Sequence, residues 1–586
     1  MLIVIVLTQG CVMSQSNNIQ SINIDFSKLK VLIVDDQRTA ALMLKSLLNS
    51  LGVNSIDISQ TYQNAIESCK KNHYDLLLTD YHLDATLNGF ELLCLLRRRK
   101  YISADCGIIM ISGDTSTEVI LTSMAVEPDS FMTKPLTLSV IKKKLTEVRT
   151  ACVERKPIYE ALETHGIAVA IELCKKKLRE LGHNHRIEAL LLDLLIESEQ
   201  WEQAERITDI LKKENPTHKI NLVEARLLHR KGKLAEAIAV LEQLIKRSPL
   251  IIDAYDCLSN YQEESQHFYD ALATAEAALH LTPSISHRAL KVAQLAADLN
   301  KDDSLIAAGK TLAARLPIID VGWIIRFAEF TAIFEQLYFS QHSSKNRRHL
   351  RLELKTIHHR AHSRLLPTQQ PFLTSFGHIT LARLFLAQDQ PLKAKRRLML
   401  GLSTYFDTIT KLPSVVLADV LPALVHLGET KIIGEIYRAL KLRDQFDGHS
   451  QNRLNALRSN EALMQSIKNL EKALAHCYQL ASDQQADQAL VLYEQIIIDY
   501  PYCSEAHIGR LQCLYQLKQF DEAKVRQSLQ AVSSMPLPDD LAQWRDRLLS
   551  QMSEPHSSPR QKHIALTYKN RANRYQLTKT PTALAS

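Results

Sequence analysis

Five short apolar runs, each followed by a segment with helical spacing, constrain the fold of this chain more than any other feature of the sequence. The runs span residues 30–35, 55–58, 74–80, 107–112 and 129–134. Continuous apolar strands that alternate with helices are typical of a parallel sheet covered on both faces. We therefore predict an α/β doubly wound domain with a five-stranded parallel sheet in the N-terminal part of the chain.

Polar residues stand where four of these predicted strands end. Asp35 and Asp36 follow the first strand, Asp80 ends the third, Ser112 ends the fourth and Lys134 follows the fifth. Because ligands of such sheets bind beyond the carboxyl ends of the strands, these side chains should share one site. Three carboxylates there need a cation, and their hard oxygen ligands suit Mg²⁺. A carboxylate beside Mg²⁺ can attack phosphorus, so the pattern predicts phosphoryl transfer to Asp80.

On these residues, the segment 29–150 resembles a response regulator receiver domain of the chemotaxis type, which has a flavodoxin-like fold. The resemblance implies that a histidine kinase or phosphotransfer protein phosphorylates Asp80, and that Lys134 and Ser112 contact the phosphoryl group. It also implies a Mg²⁺ ion held by Asp35, Asp36, Asp80 and the backbone carbonyl of His82. No enzymatic activity is expected beyond autophosphorylation from a donor and autodephosphorylation.

The same resemblance implies a switch and a way to set its lifetime. Ser112 and Phe131 would move on phosphorylation. Pro135 would be part of the same switch, and the peptide bond before it is usually cis in the family. His82 and Asp114 occupy positions that tune hydrolysis of the acyl phosphate, although a surface loop acid is an equally simple interpretation of Asp114. Asp84 departs from the family pattern, which often has proline there, and this puts the shape of that loop in doubt.

A repeat with a countable period follows this domain. An alanine at position i is followed by a proline at i+12 in the pairs Ala204 and Pro216, Ala237 and Pro249, Ala271 and Pro283, and Ala489 and Pro501. The first three pairs recur with a period of about 34 residues, and Ala523 follows Ala489 with the same period. Paired helices with this period are the signature of tetratricopeptide repeats (TPRs). We therefore expect an all-α TPR-type solenoid, with a generic helical bundle as the alternative.

These patterns predict the domain organisation. We expect an N-terminal extension (1–27), the receiver domain (28–150), a helical linker (151–186), TPR repeats (187–320), a degenerate TPR-like helical region (321–460), further TPR repeats (461–550) and a disordered basic tail (551–586). TPR grooves usually hold a peptide or helix of another protein. The prediction is a two-component response regulator with a protein-binding output, or else an unphosphorylated docking scaffold.

A basic segment at 345–364 leaves several interpretations open. It contains seven Lys or Arg residues and four His residues. A nucleic-acid-binding face would explain the charge, but the stretch lacks the aromatic residues on which bases stack. His358 and His362 stand one helical turn apart and could hold a metal, but no third ligand is evident. A solvated basic face, or a groove for an acidic peptide, is the simplest interpretation.

Cysteine usage and the N-terminus bear on localisation. None of the ten cysteines forms a C-x-x-C pair, which is typical of buried thiols in a reducing cytosol. The apolar run 2–7 before Cys11 suggests a lipoprotein anchor, but it lacks a basic flank and is too short to span a bilayer. We interpret it as an extended start with Met13 as the initiator, and predict a cytoplasmic protein without a membrane span.

Overall fold

The computed structural model describes residues 25–83, 88–214, 216–319, 321–554 and 558–576. By its internal contacts the chain divides into two compact units, Met1–Arg288 and Ala289–Ser586. Residues Cys11, Met13 and Asp84, on which three of the predictions above depend, lie outside the described residues.

A five-stranded, fully parallel sheet forms the N-terminal part of the first unit, as predicted. The strands are β1 (Lys30–Val34), β2 (Ser55–Ser59), β3 (Leu76–Asp80), β4 (Gly107–Ser112) and β5 (Ser130–Thr133). They lie in the order β2-β1-β3-β4-β5. Residues of β1, β3 and β4 are almost all buried, which explains why their sequences are continuously apolar.

Five helices accompany the strands: α1 (Arg38–Ser50), α2 (Tyr62–Lys71), α3 (Gly89–Arg98), α4 (Thr117–Met124) and α5 (Leu138–Thr164). On one face of the sheet, Leu44 and Leu48 of α1 and Leu145 and Val148 of α5 pack with apolar residues of β1 and β3. The sequence of alternating strands and helices therefore gives the doubly wound domain that the apolar runs predict.

Helix α5 is longer than predicted. The predicted receiver domain ended at residue 150 and a helical linker followed, but one helix runs to Thr164 with Pro157 inside it. Its buried face continues without interruption, because Cys152 joins the core of the sheet while Ile158 joins a second core among the following helices. One continuous helix thus contributes to the receiver core and to the first helical core.

The rest of the first unit is helical. It comprises α6 (Ile167–Leu181), α7 (His185–Glu197), α8 (Trp201–Glu214), α9 (His218–Arg230), α10 (Leu234–Arg247), α11 (Ile252–Glu264), α12 (Phe268–Leu281) and the start of α13 (Ser286–Asp298). Helices α7, α9, α11 and α13 begin at regular intervals of about 34 residues, which matches the predicted period. Ala204, Ala237 and Ala271 are completely buried, as the close approach of paired helices requires.

The second unit is helical throughout its described residues. After α13 it contains α14 (Asp302–Ala314), α15 (Gly322–Ser340), α16 (Ser344–Arg364), α17 (Gln370–Leu386), α18 (Pro391–Leu402), α19 (Ser414–Leu427), α20 (Thr430–Lys441), α21 (Gly448–Ser459), α22 (Glu461–Ser482), α23 (Ala486–Asp499), α24 (Ser504–Gln516), α25 (Glu522–Val532), α26 (Asp539–Gln551) and α27 (Pro559–Gln576). Ala489 is buried like the earlier repeat alanines, whereas Ala523 is exposed, since the buried face of α25 begins at Val525.

The prediction of a disordered tail was wrong for Pro559–Gln576, which form helix α27. Ile564, Ala565, Tyr568 and Ala572 are buried there, and the helix contacts α26. These residues recur at helical spacing on one face, a signal that the high charge of the segment obscured in the sequence.

Two further properties of the described residues are the hydropathy of the helices and the state of the cysteines. No helix in the part of the chain that the structure describes is long and apolar enough to cross a bilayer. The nine cysteines in that part are free, and seven of them are buried. They therefore behave as the scattered, mostly buried thiols that the sequence suggested.

Candidate phosphoacceptor site

The carboxyl ends of β1, β3, β4 and β5 bring the predicted site residues together. The Nζ atom of Lys134 lies 3.0 Å from Oδ2 of Asp35 and 3.3 Å from Oδ1 of Asp80. The three residues are far apart in sequence, so the parallel register of the strands creates their contact. This is the edge at which doubly wound sheets bind ligands.

Three carboxylates form an acidic cluster at this edge. Asp35, Asp36 and Asp80 each offer an oxygen within 4.8 Å of the others, and no other group of three or more potential metal ligands occurs in the described residues. Asp35 and Asp80 are buried, and Asp36 is exposed. Oδ1 of Asp80 is also buried and accepts no hydrogen bond of good geometry, although Lys134 is near it. This oxygen therefore has an ion-pair partner but no hydrogen bond, and it can take part in binding a cation.

The surroundings of Asp80 shift its pKa upwards. Burial, Lys134 and Asp35 together set the pKa of Asp80 at about 6, because burial and the charge of Asp35 raise it and Lys134 lowers it. Burial acts to lower the pKa of Lys134, but the charges of Asp80 and Asp35 outweigh it, so the pKa is raised. One ammonium therefore faces three carboxylates, and the site has an excess of negative charge.

The surroundings of Ser112, Pro135 and Phe131 are defined by the structure, and their role as a switch stays a prediction. The side chain of Ser112 is fully buried, and its hydroxyl oxygen accepts a hydrogen bond of 3.0 Å from the backbone N–H of Asp114. The Lys134–Pro135 peptide bond is cis. Phe131 lies on β5, half-buried. The backbone N–H of Lys134 donates a hydrogen bond of 2.9 Å to the backbone oxygen of Ser112, which joins the ends of β4 and β5.

At the rim of the site, His82 and Asp114 lie opposite each other. Nε2 of His82 is 3.8 Å from Oδ2 of Asp114, and both side chains are about half exposed. The sequence named both residues as possible regulators of hydrolysis but gave no sign that they form a pair. The role of the His82 carbonyl as a metal ligand stays a prediction.

Gly89 is a site residue that the sequence analysis missed. A Cβ atom at this position would lie 2.3 Å from the backbone oxygen of Asp80, and the N–H of Gly89 donates to Tyr81. The first residue of α3 therefore packs directly against the backbone of the acceptor. A glycine shortly after the acceptor strand was the only available signal for this contact.

The fourth helix of the domain also contacts the helical repeats within the first unit. Helix α4 packs against α12, and the hydroxyl of Ser284, just after α12, donates a hydrogen bond of 3.2 Å to Glu118 of α4. Arg186 of α7 donates a bond of 2.9 Å to the backbone oxygen of Asp129, directly before β5. Neither contact is readable from the sequence.

The second metal hypothesis gains no support. His358 and His362 both lie on α16, but neither belongs to a group of three potential ligands among the described residues. His358 instead packs edge-on against the ring of Phe327, with 4.9 Å between the ring centres.

Comparison with known proteins agrees with this geometry. Residues 31–146 match the family model of the response regulator receiver domain. Chemotaxis protein CheY-3 of Vibrio cholerae is 28% identical over 120 residues, which are 20% of this chain and 91% of that protein. The autoinducer 1 sensor kinase/phosphatase LuxN of Vibrio harveyi is 36% identical over 115 residues, which are 20% of this chain and 13% of LuxN. The crystal structure of CheY4 of Vibrio cholerae aligns over 20% of this chain and 98% of its own, with 24% identity and a TM-score of 0.19. Residues 31–146 form a response regulator receiver domain.

Proposed function

We propose that this chain is a two-component response regulator in which Asp80 accepts a phosphoryl group and the helical region binds another protein as the output. The observation that carries the proposal is the position of Lys134, whose ammonium lies between Asp35 and Asp80 at the ligand-binding edge of a receiver sheet. In this proposal the phosphoryl donor is a histidine kinase or a phosphotransfer protein. The chemistry of the chain is limited to its own phosphorylation and dephosphorylation.

The acidic cluster fits a Mg²⁺ ion. Oδ1 of Asp80 has no hydrogen-bond partner, and the three carboxylates carry more negative charge than Lys134 can neutralise. Asp35, Asp36, Asp80 and the backbone carbonyl of His82 would hold the ion. When bound, it would neutralise charge between the acceptor carboxylate and the incoming phosphoryl oxygens.

The residues of the chain then have separate roles in the transfer. A carboxylate oxygen of Asp80 attacks phosphorus, the new P–O bond forms, and the P–N bond of a donor phosphohistidine breaks as the imidazole leaves. The ammonium of Lys134 and the hydroxyl of Ser112 donate hydrogen bonds to the phosphoryl oxygens. Water later attacks phosphorus and releases inorganic phosphate, and in this proposal the exposed His82–Asp114 pair controls the access of that water.

A short path joins the acceptor to the helical repeats. The hydroxyl of Ser112 now contacts the backbone of Asp114, only four residues before Glu118, which in turn contacts Ser284. If Ser112 turns towards a phosphoryl group, the loop that positions α4 loses that contact. We propose that phosphorylation shifts the population of states in which α4 is docked on α12.

Helix pairs with a period of about 34 residues and buried alanines at their crossing points support the TPR interpretation of 187–320. The proposed partner of these repeats is another protein. The free thiols support a reducing compartment, and we propose the cytoplasm.

The test is phosphorylation by a small donor. Purified full-length protein is exposed to acetyl phosphate with and without Mg²⁺, and wild type is compared with Asp80→Asn on a phosphate-affinity gel. We expect a shifted band only for wild type and only with Mg²⁺. If a correctly folded wild type gives no band, the proposed switch is wrong, and the chain is better described as an unphosphorylated docking scaffold.

A further inference from the structure

Positive charge is concentrated in three consecutive helices of the second unit. The segment 344–402, which contains α16, α17 and α18, has twelve Lys or Arg residues and two Asp or Glu residues. The whole chain has 71 and 64, so this segment alone exceeds the net positive charge of the chain. Such a local excess creates a strong potential that a partner of opposite charge can meet.

The three helices surround a groove of about 1230 Å³. Its lining includes the cations Arg348, Arg351, Lys355, Lys393 and Arg397, and no Asp or Glu of the described residues lies among its lining residues. The groove is therefore cationic along its whole length.

Most of these cations have no ion-pair or hydrogen-bond partner among the described residues. Arg348, Lys355, Lys393 and Arg397 form no ion pair or hydrogen bond with the described residues, and all four are exposed. The acid of α16, Glu353, is already engaged by Lys310 at 2.7 Å. The positive charge of the groove is thus left uncompensated by the fold.

The floor of the groove is apolar. Leu352, Leu381 and Phe385 line it, and Leu352 is 57% exposed. The guanidinium of Arg351 lies over the ring of Phe385, 5.8 Å from its centre. The exposed Leu352, beside the ring of Phe385, provides a place for apolar side chains of a ligand. The cations of the groove lie around this apolar floor and form its rims.

We propose that this groove binds an acidic, amphipathic helical segment of another protein, with its apolar side on the floor and its carboxylates on the rims. The proposal extends the protein-binding part of the proposed function, and its test does not depend on phosphorylation of Asp80. The outer segments of this sequence do not supply the occupant, because residues 1–24 and 577–586 contain no Asp or Glu.

The apolar floor favours a protein over a nucleic acid. Sequence-independent binding of single strands uses exposed aromatic faces on which bases stack, and here Arg351 already covers the ring of Phe385. A nucleic acid would neutralise the rims but leave Leu352 and Leu381 without a complementary surface. An amphipathic acidic helix satisfies both parts of the groove.

Fluorescence anisotropy with a defined peptide tests the proposal on the full-length protein. The probe is a labelled peptide of about 20 residues, with Leu at helical spacing and Glu elsewhere, which forms a helix about 30 Å long.

Reversing two rim charges, Arg348→Glu with Arg397→Glu, should weaken binding of this peptide at least about tenfold. Leu352→Gln should weaken it about fivefold through the floor. The matched control Arg360→Glu changes an exposed residue of α16 outside the groove and should stay within about twofold of wild type.

Three outcomes would overturn the proposal. One is a peptide that fails to bind at about 100 µM in low salt. Another is equal binding of the same peptide with Gln in place of Glu. The third is tighter binding of a single-stranded RNA or a DNA duplex of equal length, with no effect of Leu352→Gln, which would identify a nucleic-acid surface. Should Arg348→Glu with Arg397→Glu lower the melting temperature, the neutral Gln pair replaces it.

Discussion

Lys134 neutralises only part of the negative charge around it. Its ammonium contacts Asp35 and Asp80, while Asp36 adds a third carboxylate at the same edge. The excess negative charge affects Asp80, because burial and the charge of Asp35 raise its pKa to about 6. The acceptor is therefore destabilised as an anion until a cation or a phosphoryl group arrives, which keeps it poised for the reaction.

Replacing Asp80 with Asn should stabilise the fold at neutral pH when Mg²⁺ is absent. The pKa of Asp80 is about 6 in the folded protein, whereas its ordinary value is 3.8. Protonation of Asp80 therefore favours the folded state. The stability from the protonated form is fully present below the ordinary value and is lost as pH rises through about 6. The ionised carboxylate then costs about 3 kcal/mol as an upper bound, and Asp80→Asn removes this cost. Calorimetry in EDTA should show a higher melting temperature for Asp80→Asn at pH 7.5, and a smaller difference at pH 4.

Addition of Mg²⁺ provides an internal control for the same calorimetry experiment. Adding Mg²⁺ should raise the melting temperature of wild type and leave Asp80→Asn nearly unchanged, because the variant lacks one of the proposed ligands. A variant that melts below wild type at pH 7.5 in EDTA would show that Asp80 stabilises the fold as an anion, contrary to this account.

Single residues also show where the sequence could and could not predict the site. Asp35, Asp80, Ser112 and Lys134 were predictable because each stands at a strand end, and parallel strands end at one edge. The pairing of His82 with Asp114 was not, because it depends on how two loops approach each other. Buried cations such as Lys395, which pairs with Glu429 at 2.9 Å, look like surface residues in the sequence.

At the scale of elements, a buried ion network holds four helices of the second unit together. Arg383 of α17 contacts Glu335 of α15 at 2.8 Å and also reaches Asp419 of α19, which is completely buried. Arg453 and His449 of α21 contact the same oxygen of Asp419 at 2.9 and 3.1 Å. Burial raises the pKa of Glu335 despite Arg383 nearby, so its charge depends on that partner. The network links helices that are far apart in sequence.

Arg383→Met should strongly destabilise the second unit. The substitution leaves the buried Glu335 without its closest cation and removes one of the cations around Asp419. Breaking a buried ion pair in this way costs about 3–5 kcal/mol. Urea unfolding followed by the fluorescence of the buried Trp323 on α15 should show a lower midpoint. Arg326→Met is the matched control, since Arg326 forms only an exposed pair with Glu329 and its loss should change stability by less than about 1 kcal/mol. Equal midpoints for the two variants would mean that the network contributes no stability.

Elements also differ in how well the sequence predicted them. The five strands were clear, because each is a continuous apolar run with a polar residue at its end. The domain boundary predicted at residue 150 falls inside helix α5, which continues through Pro157 to Thr164. The buried positions Cys152 and Ile158 extend the helical period through that stretch, and only the tertiary structure shows which core each joins.

At the scale of the whole molecule, the receiver and the first repeats share one compact unit. Helix α5 contributes to both cores, and α4 contacts α12. The contact between Glu118 and Ser284 joins residues 166 positions apart, so no local pattern could have predicted it. A change at the acceptor can therefore reach the repeats through direct contacts rather than through a flexible linker.

Weakening that contact should favour phosphorylation. If phosphorylation releases α4 from α12, thermodynamic reciprocity requires that loosening α4 promotes phosphorylation. One hydrogen bond contributes about 0.5–1.5 kcal/mol, so Glu118→Ala should increase the phosphorylated fraction or its rate of formation by about two- to tenfold. Time courses with acetyl phosphate and Mg²⁺ on phosphate-affinity gels measure this, with Glu67→Ala as the control because Glu67 pairs only within α2. Ser284→Ala should act in the same direction, and the effects of the two changes should not add fully, since both remove the bond between Ser284 and Glu118. Rates that stay at the wild-type value in both single variants would mean that the receiver switches without moving away from the repeats.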